Sequence, residues 1–419
     1  MYTNFSYSGK LQTLEAPASP AEQRFWHLSK DESQALAHTW PVAIEIDGLV
    51  DFRRLERAWH QLLERQDITR TVLTRNEVFG TSRKVSNEVP EEQAISLHEL
   101  EQADLVHSTT KIRELLANDR TAVSQPDQFP TLICRCIHLR SRTKVEDKTL
   151  LVVTGHSFVL DSWSVSILWN DLSAFYNSDP LPKIEDSASS LASLQNKLAN
   201  DSSNRIHSIA RAIRDSENIS IQNRSESSEH SRIYKEIEAN RPPPKEGGFI
   251  QLLTAFCQSI SEIDPSPKRK RIATSTSLRT ERSAYTMGYF TNRLIITFDP
   301  TMDKADLRKD LQSQVYGSLA QPIPFESLVG EEFPSDYTSC APISQVMLAL
   351  AQKPAVNCLQ FEGNFATPRR LDGTLERFLL LISADIGDDG LSLEAHYRND
   401  LQECAERTLL AIESEVQRT

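Results

Sequence analysis

No stretch of this 419-residue chain stays apolar long enough to cross a bilayer, since a spanning helix needs about 20 such residues. The N-terminus, Met1 to Lys10, lacks the charged-then-apolar order of a secretory leader, so a cytoplasmic protein with no membrane partner is expected. Basic charge is also scarce: 46 Lys and Arg stand against 58 Asp and Glu, a net charge of −12. That balance disfavours nonspecific binding to nucleic acid. The one basic cluster, Lys268-Arg269-Lys270-Arg271, follows Pro265 and Pro267. It reads as a solvated turn, with an acidic protein partner as its other use. There are six cysteines, and only Cys134 and Cys136 lie close together. They share a strand face with His138, but no second cluster supplies further ligands, so packing rather than a metal site is expected. No short-period repeat is present, which excludes a solenoid.

What is present is an ordinary globular composition, 39% hydrophobic and 25% charged, in a chain long enough for two domains. Ser19-Pro20-Ala21-Glu22 has the form of a capping-box helix start, followed by Phe25, Trp26 and Leu28. A strand is predicted at Val42 to Ile46, and Asp51 is placed to cap a helix with Phe52, Leu55, Trp59 and Leu62 on one face. Leu132 to Leu139 and Thr149 to Thr154 read as paired strands. From residue 178 to 231 Ser, Asn, Asp, Glu and Arg dominate. Such a segment buries too little to order its whole length, so a partly mobile connection is expected, with a short amphipathic helix at Ile206 to Ile213. Beyond it come strands at Ile233 to Ile237, Ile272 to Ser277 and Tyr289 to Phe298, and a helix from Phe249 to Ile263. A hairpin of Arg377 to Ala384 with Leu391 to Tyr397 follows, and a final helix from Leu401 to Val416. Strands alternate with helices throughout, which predicts mixed α/β (α+β) architecture. The expected division is 1–177, a connection at 178–231, and 232–419.

The most informative stretch is His156-Ser157-Phe158-Val159-Leu160-Asp161-Ser162-Trp163-Ser164. It follows the apolar run Leu150 to Val153 and leads into a helical pattern of Val165, Leu168, Leu172 and Phe175. A strand that ends in His and Asp before a helix holds side chains in fixed positions beside positive potential.

This stretch resembles the His-His-x-x-x-Asp-Gly signature of nonribosomal peptide synthetase condensation domains. Other segments resemble the family's motifs in the family's order. They are Ser19-Pro20-Ala21-Glu22-Gln23-Arg24-Phe25-Trp26, Arg65-Gln66-Asp67-Ile68-Thr69-Arg70-Thr71-Val72-Leu73 and Met287-Gly288-Tyr289-Phe290-Thr291-Asn292. Pro324-Phe325-Glu326-Ser327-Leu328-Val329 and Ser344-Gln345-Val346-Met347 complete the series. The resemblance implies two chloramphenicol-acetyltransferase-like lobes in a V, with a central tunnel and the signature at its midpoint. It implies no bound cofactor. Phosphopantetheine would arrive on an acyl or peptidyl carrier protein acting in trans, and a small-molecule amine or alcohol would be the acceptor. A free-standing protein of nonribosomal peptide or hybrid polyketide biosynthesis follows as the expectation.

The match breaks at the catalytic position. His156 occupies the first His place, Ser157 the second, and Ser162 replaces the Gly. An unactivated Ser is a poor base, and loss of general-base help typically costs about 10²- to 10⁴-fold in rate. His156 would reach the second place only through a one-residue bulge, because adjacent strand residues face opposite ways. The resemblance makes Asp161 structural, paired with Arg279, or alternatively with Arg282. It makes Asn292 a polar group of the tunnel, against the simpler reading of a strand-end hydrogen bond. Acyl transfer to an amine or hydroxyl is thus one expectation. A non-catalytic scaffold that recruits a carrier protein or tailoring enzyme is the alternative, and repurposed chemistry such as cyclisation a third. Gly155-His156-Ser157 begins like a nucleophile elbow, but Val159 stands where Gly is required and no helix starts after Ser157.

Overall fold

In a computed structural model, residues 14–78, 80–101, 105–141, 147–219, 230–237, 247–337, 343–350, 359–369, 371, 378–386 and 391–417 are described. The turn that Pro242-Pro243-Pro244 predicts, the predicted hairpin tip at 387–390, and Cys340 and Cys358 lie outside them. The chain forms two compact units.

The first unit holds residues 1–193, 281–289 and 354–373. Its main sheet has six strands. In spatial order these are Gln360–Phe361, Asn364–Arg369, Thr39–Asp47, Lys148–His156, Leu132–Arg140 and Ser96–Glu101. Lys148–His156 is an inner strand, almost wholly buried, and it reads as a nearly continuous apolar run for that reason. The helix Leu105–Ala122 packs on this sheet, and Phe52–Arg65 packs against Ser162–Asn177. Ala43, Leu116, Ile137, Leu150 and Val152 form one buried cluster. A smaller sheet orders Leu14–Pro17, Gly80–Val85 and Thr71–Asn76.

The capping box forms as the sequence predicts. Ser19 N–H donates to Glu22 Oε2 at 2.8 Å, and Glu22 N–H to Ser19 Oγ at 3.3 Å, at the head of Pro20–Leu28. The second Glu22 oxygen lies 3.5 Å from Nε of the wholly buried Arg83. One carboxylate thus caps the helix and offsets a buried charge.

The second unit holds residues 194–280, 290–353 and 374–419. Its six-stranded sheet orders Thr291–Phe298, Lys270–Ser277, Val346–Leu350, Leu380–Ile386, Leu391–Arg398 and His230–Ile237. Gly248–Ile263 packs against Gln402–Gln417. Leu253, Phe256, Ile272, Leu348, Ile382 and Leu393 belong to the core.

Three expectations are corrected. The units are interleaved rather than sequential: 281–289 and 354–373 belong with the first unit, whereas the division at 177 and 232 places them with the last segment. Asn364–Arg369 pairs antiparallel with Thr39–Asp47, from Ala366 opposite Ile46 to Arg369 opposite Ala43, a long-range pairing with no local signature. Second, besides the expected amphipathic helix, which spans Ser203–Arg214, the polar connection carries a further helix, Ala188–Asn200. Asp67 accepts from the N–H groups of Ala188 and Ser189 at 3.1 and 3.3 Å. Ile206, Ala210 and Ile213 are buried with Phe325, Leu328 and Val329, so a few apolar residues at helical spacing suffice. Third, the basic run is not a solvated turn. Lys270 is 1% exposed and pairs with Asp264 at 2.9 Å. Arg271 donates to the carbonyls of Ile213, Ser216 and Ile343 at 3.0, 2.7 and 2.9 Å. Lys268 pairs with Glu217.

Candidate active site

The strand Lys148–His156 reaches the site in unbroken register, with Thr39 opposite His156 and Trp40 opposite Gly155. No bulge carries His156 into the second His position. A Cβ at Gly155 would lie 2.5 Å from Leu132 Cδ2 and 2.6 Å from Leu160 Cδ1, so close packing requires glycine there. His156 N–H donates to Thr131 O at 3.1 Å, which fixes the residue's backbone.

The His156 ring is 1% exposed. Phe25 meets it edge-on at 5.6 Å, Phe158 at 5.1 Å, and His38 stacks on it at 6.2 Å and 24°. Phe158 N–H donates to His156 Nδ1 at 3.1 Å. An accepting Nδ1 carries no proton, so the neutral ring holds its proton on Nε2 and presents a donor there.

Ser157 is tied to His38 twice. Its N–H and its Oγ–H donate to the His38 carbonyl at 2.7 and 2.8 Å. The hydroxyl proton therefore points at a peptide oxygen rather than at a base, and nucleophilic activation needs the reverse. His38, 3% exposed, is the neighbour that sequence reasoning missed. It sits just before a strand, and no motif marks it.

The chain then turns, with Val159 N–H donating to His156 O at 2.9 Å. Asp161 is the N-cap of Ser162–Asn177. Its Oδ1 accepts from Ser164 N–H and Oγ, both at 2.7 Å. Ser162 is the exposed first residue of the helix. Residues 281–289 are held to this helix at Trp163, whose Nε1 donates to Ala284 O at 2.9 Å, and at Ser164, whose Oγ accepts from Gly288 N–H at 3.0 Å and lies 2.8 Å from Gly288 O. Gln66, 0% exposed, adds a third link. Its Nε2 donates to Asp171 Oδ2 at 2.9 Å and to Tyr285 O at 3.1 Å, and its Oε1 accepts from Met287 N–H at 3.0 Å.

The other predicted residues have their own settings. Arg279 belongs to the second unit, where its guanidinium lies 4.4 Å from the Phe290 ring centre. Arg282, the alternative partner of Asp161, instead bonds Asp186 at 3.1 and 3.2 Å. Asn292 is 1% exposed. Its Nδ2 donates to Ile323 O at 2.9 Å and its Oδ1 accepts from Phe325 N–H at 2.8 Å. Its amide thus ties the strand to the start of the helix Phe325–Glu332. Burial pushes the Cys136 thiol up to about 12, and Cys134 likewise well above its ordinary value. Among the described residues no group of three or more His, Cys, Asp and Glu is placed to hold a metal ion.

These features resemble those of condensation domains. The family model described as "Condensation domain" matches residues 12–203, and the fold of the whole chain is that of solved condensation-type domains. The X-domain from teicoplanin biosynthesis matches with a TM-score of 0.74 at 16% identity, covering 96% of this chain and 94% of its own. The epimerization domain from the third module of tyrocidine synthetase B matches at 0.73 and 15%, covering 99% of each. In sequence, a linear gramicidin synthase of Brevibacillus parabrevis is 26% identical over 39% of this chain. Chondramide synthase cmdD of Chondromyces crocatus is 24% identical over 93% of it. The chain spans only 3% and 10% of the lengths of these two synthases.

Proposed function

We propose that this chain serves nonribosomal peptide or hybrid polyketide biosynthesis as a condensation-type protein that engages acyl groups borne on a carrier protein's phosphopantetheine, and that residues 156 and 157 supply no general base for their transfer. The observation that carries this reading is the commitment of both groups. The Ser157 hydroxyl donates to the His38 carbonyl, and His156 Nδ1 is occupied by Phe158 N–H. Recruitment of a carrier protein or tailoring enzyme is then the primary role. A solved X-domain of teicoplanin biosynthesis in complex with OxyB supports it by likeness.

A second reading is acyl transfer by positioning alone, with an uncharged amine as acceptor. The intact Asp161 cap and its Ser164 bonds favour it, because they keep the loop in one geometry despite the altered signature.

A transfer assay separates the two. Purified protein is incubated with octanoyl coenzyme A and a leucine thioester of N-acetylcysteamine, the ligand types held by a solved starter condensation domain, and octanoyl-leucine product is followed by mass spectrometry. Recruitment predicts no product above the protein-free rate. Product formed equally by wild type, Ser157→Ala and His156→Asn supports positioning. Product lost in either variant contradicts the proposal.

A further inference from the structure

The helix Ser162–Asn177 presents a second polar site along its length. Asp171 lies ten residues beyond Asp161, about 15 Å along the axis, and is 3% exposed. Its Oδ2 takes two donors, Arg65 Nε at 3.0 Å and Gln66 Nε2 at 2.9 Å. Among the described residues no donor reaches Oδ1. The Asp171 carboxyl lines a cavity of about 650 Å³ walled by Ile167, Leu181, Leu359 and Tyr285, a size that suits a small organic ligand. Asp179, exposed, adds a second carboxylate, and among the described residues no cation lies against it. Arg65, which lies against Asp171, is spent on Asp171 Oδ2 and on the Pro182 carbonyl.

We propose that this cavity binds a small-molecule amine, whose ammonium donates to Asp171 Oδ1 while its apolar body lies against Leu181 and Leu359. Among the described residues the Asp171 Oδ1 oxygen takes no protein donor and is open to a ligand in the cavity, and a charged donor bonds a carboxylate most strongly. Burial also raises the Asp171 carboxyl above its ordinary range despite Arg65 and Gln66, the mark of an anion short of solvation. This site stands apart from residues 156 and 157 and does not depend on acyl transfer.

Calorimetric titration of the full chain tests it, with n-hexylamine, hexan-1-ol, hexanoate and the peptide acetyl-Ala-Lys-Ala-amide as probes. Hexylamine is expected to bind at one site, at least tenfold tighter than hexanol and the peptide, with no binding of hexanoate. Asp171→Asn is expected to weaken hexylamine at least tenfold. Ala174→Phe fills the cavity, leaves the Arg65–Asp171–Gln66 bonds in place, and is expected to abolish binding. Hexanol binding as tight as hexylamine would reduce the cavity to an apolar pocket, and tight peptide binding would assign it to a protein lysine. Either result, the absence of hexylamine binding, or hexylamine binding unchanged in Ala174→Phe, overturns the proposal.

Discussion

The Ser157 hydroxyl is already engaged. Its bond to the His38 carbonyl is a loop contact of ordinary strength, so Ser157→Ala should cost about 0.5–1.5 kcal/mol of stability, read by denaturant unfolding. Gly155 is less forgiving. Its substitution by Ala forces a methyl into the Leu132 and Leu160 side chains, and overpacking of this kind costs about 1–3 kcal/mol. Asp171 carries a pH signature. Its folded-state carboxyl titrates above the unfolded value, so the stability it confers is present at low pH and is lost as pH rises through the folded value. The wild-type melting temperature should therefore fall relative to that of Asp171→Asn as pH rises above the ordinary carboxylate range. A rising difference would contradict the burial argument. At this scale the sequence was legible where a side chain belongs to a local pattern. His156, Ser157 and Asp161 stand in one strand-to-helix stretch, and Asp161 caps the helix that follows. His38 and Asp171 act through neighbours 119 and 106 positions away, and no local pattern reports such distances.

The helix Ser162–Asn177 organises the first unit around itself. At its C-terminal end Ser173 Oγ and Asn177 Nδ2 both donate to Gln360 O at 2.7 Å, and Asn177 Oδ1 accepts from Glu362 N–H at 2.9 Å. These bonds fasten the hairpin of Gln360–Phe361 and Asn364–Arg369, whose turn places Glu362 and Gly363 at positive φ. Asn177→Ala should raise amide hydrogen exchange at Glu362 at least tenfold while leaving the inner strand Lys148–His156 protected. Unchanged exchange would show that strand pairing with Thr39–Asp47 holds the hairpin alone. This hairpin has no sequence signature, since Asn364–Arg369 is mostly exposed and offers no alternating apolar face. The helix Ala188–Asn200 is hidden for the opposite reason. Polar composition masks the spacing of its apolar residues, whereas Ile206, Ala210 and Ile213 mark Ser203–Arg214 by their helical spacing. Strongly patterned elements, such as Phe52–Arg65 and the strands Leu132–Arg140 and Lys148–His156, stand out because their burial is one-sided or complete.

Across the whole chain, the first unit draws on three separate segments. A fragment ending at residue 193 would lack the partners of Gln66, Trp163 and Ser164 in 281–289, and the strand that covers the edge of Thr39–Asp47. Such a fragment should lose cooperative thermal unfolding, and adding back 281–289 and 354–373 through linkers should restore it. A fragment that melts cooperatively by itself would show that the interleaving is dispensable. The condensation fold was legible at this scale because six short motifs occur in one order. The interleaving was not, because motif order says nothing of which strands pair.

Whether the altered signature holds a free base is read by nitrogen NMR of His156 in the full chain. Long-range correlation spectra should show Nδ1 as the unprotonated, accepting nitrogen and Nε2 as the protonated one at neutral pH, as the Phe158 contact requires. A spectrum with the proton on Nδ1 and Nε2 open as a base would contradict the account.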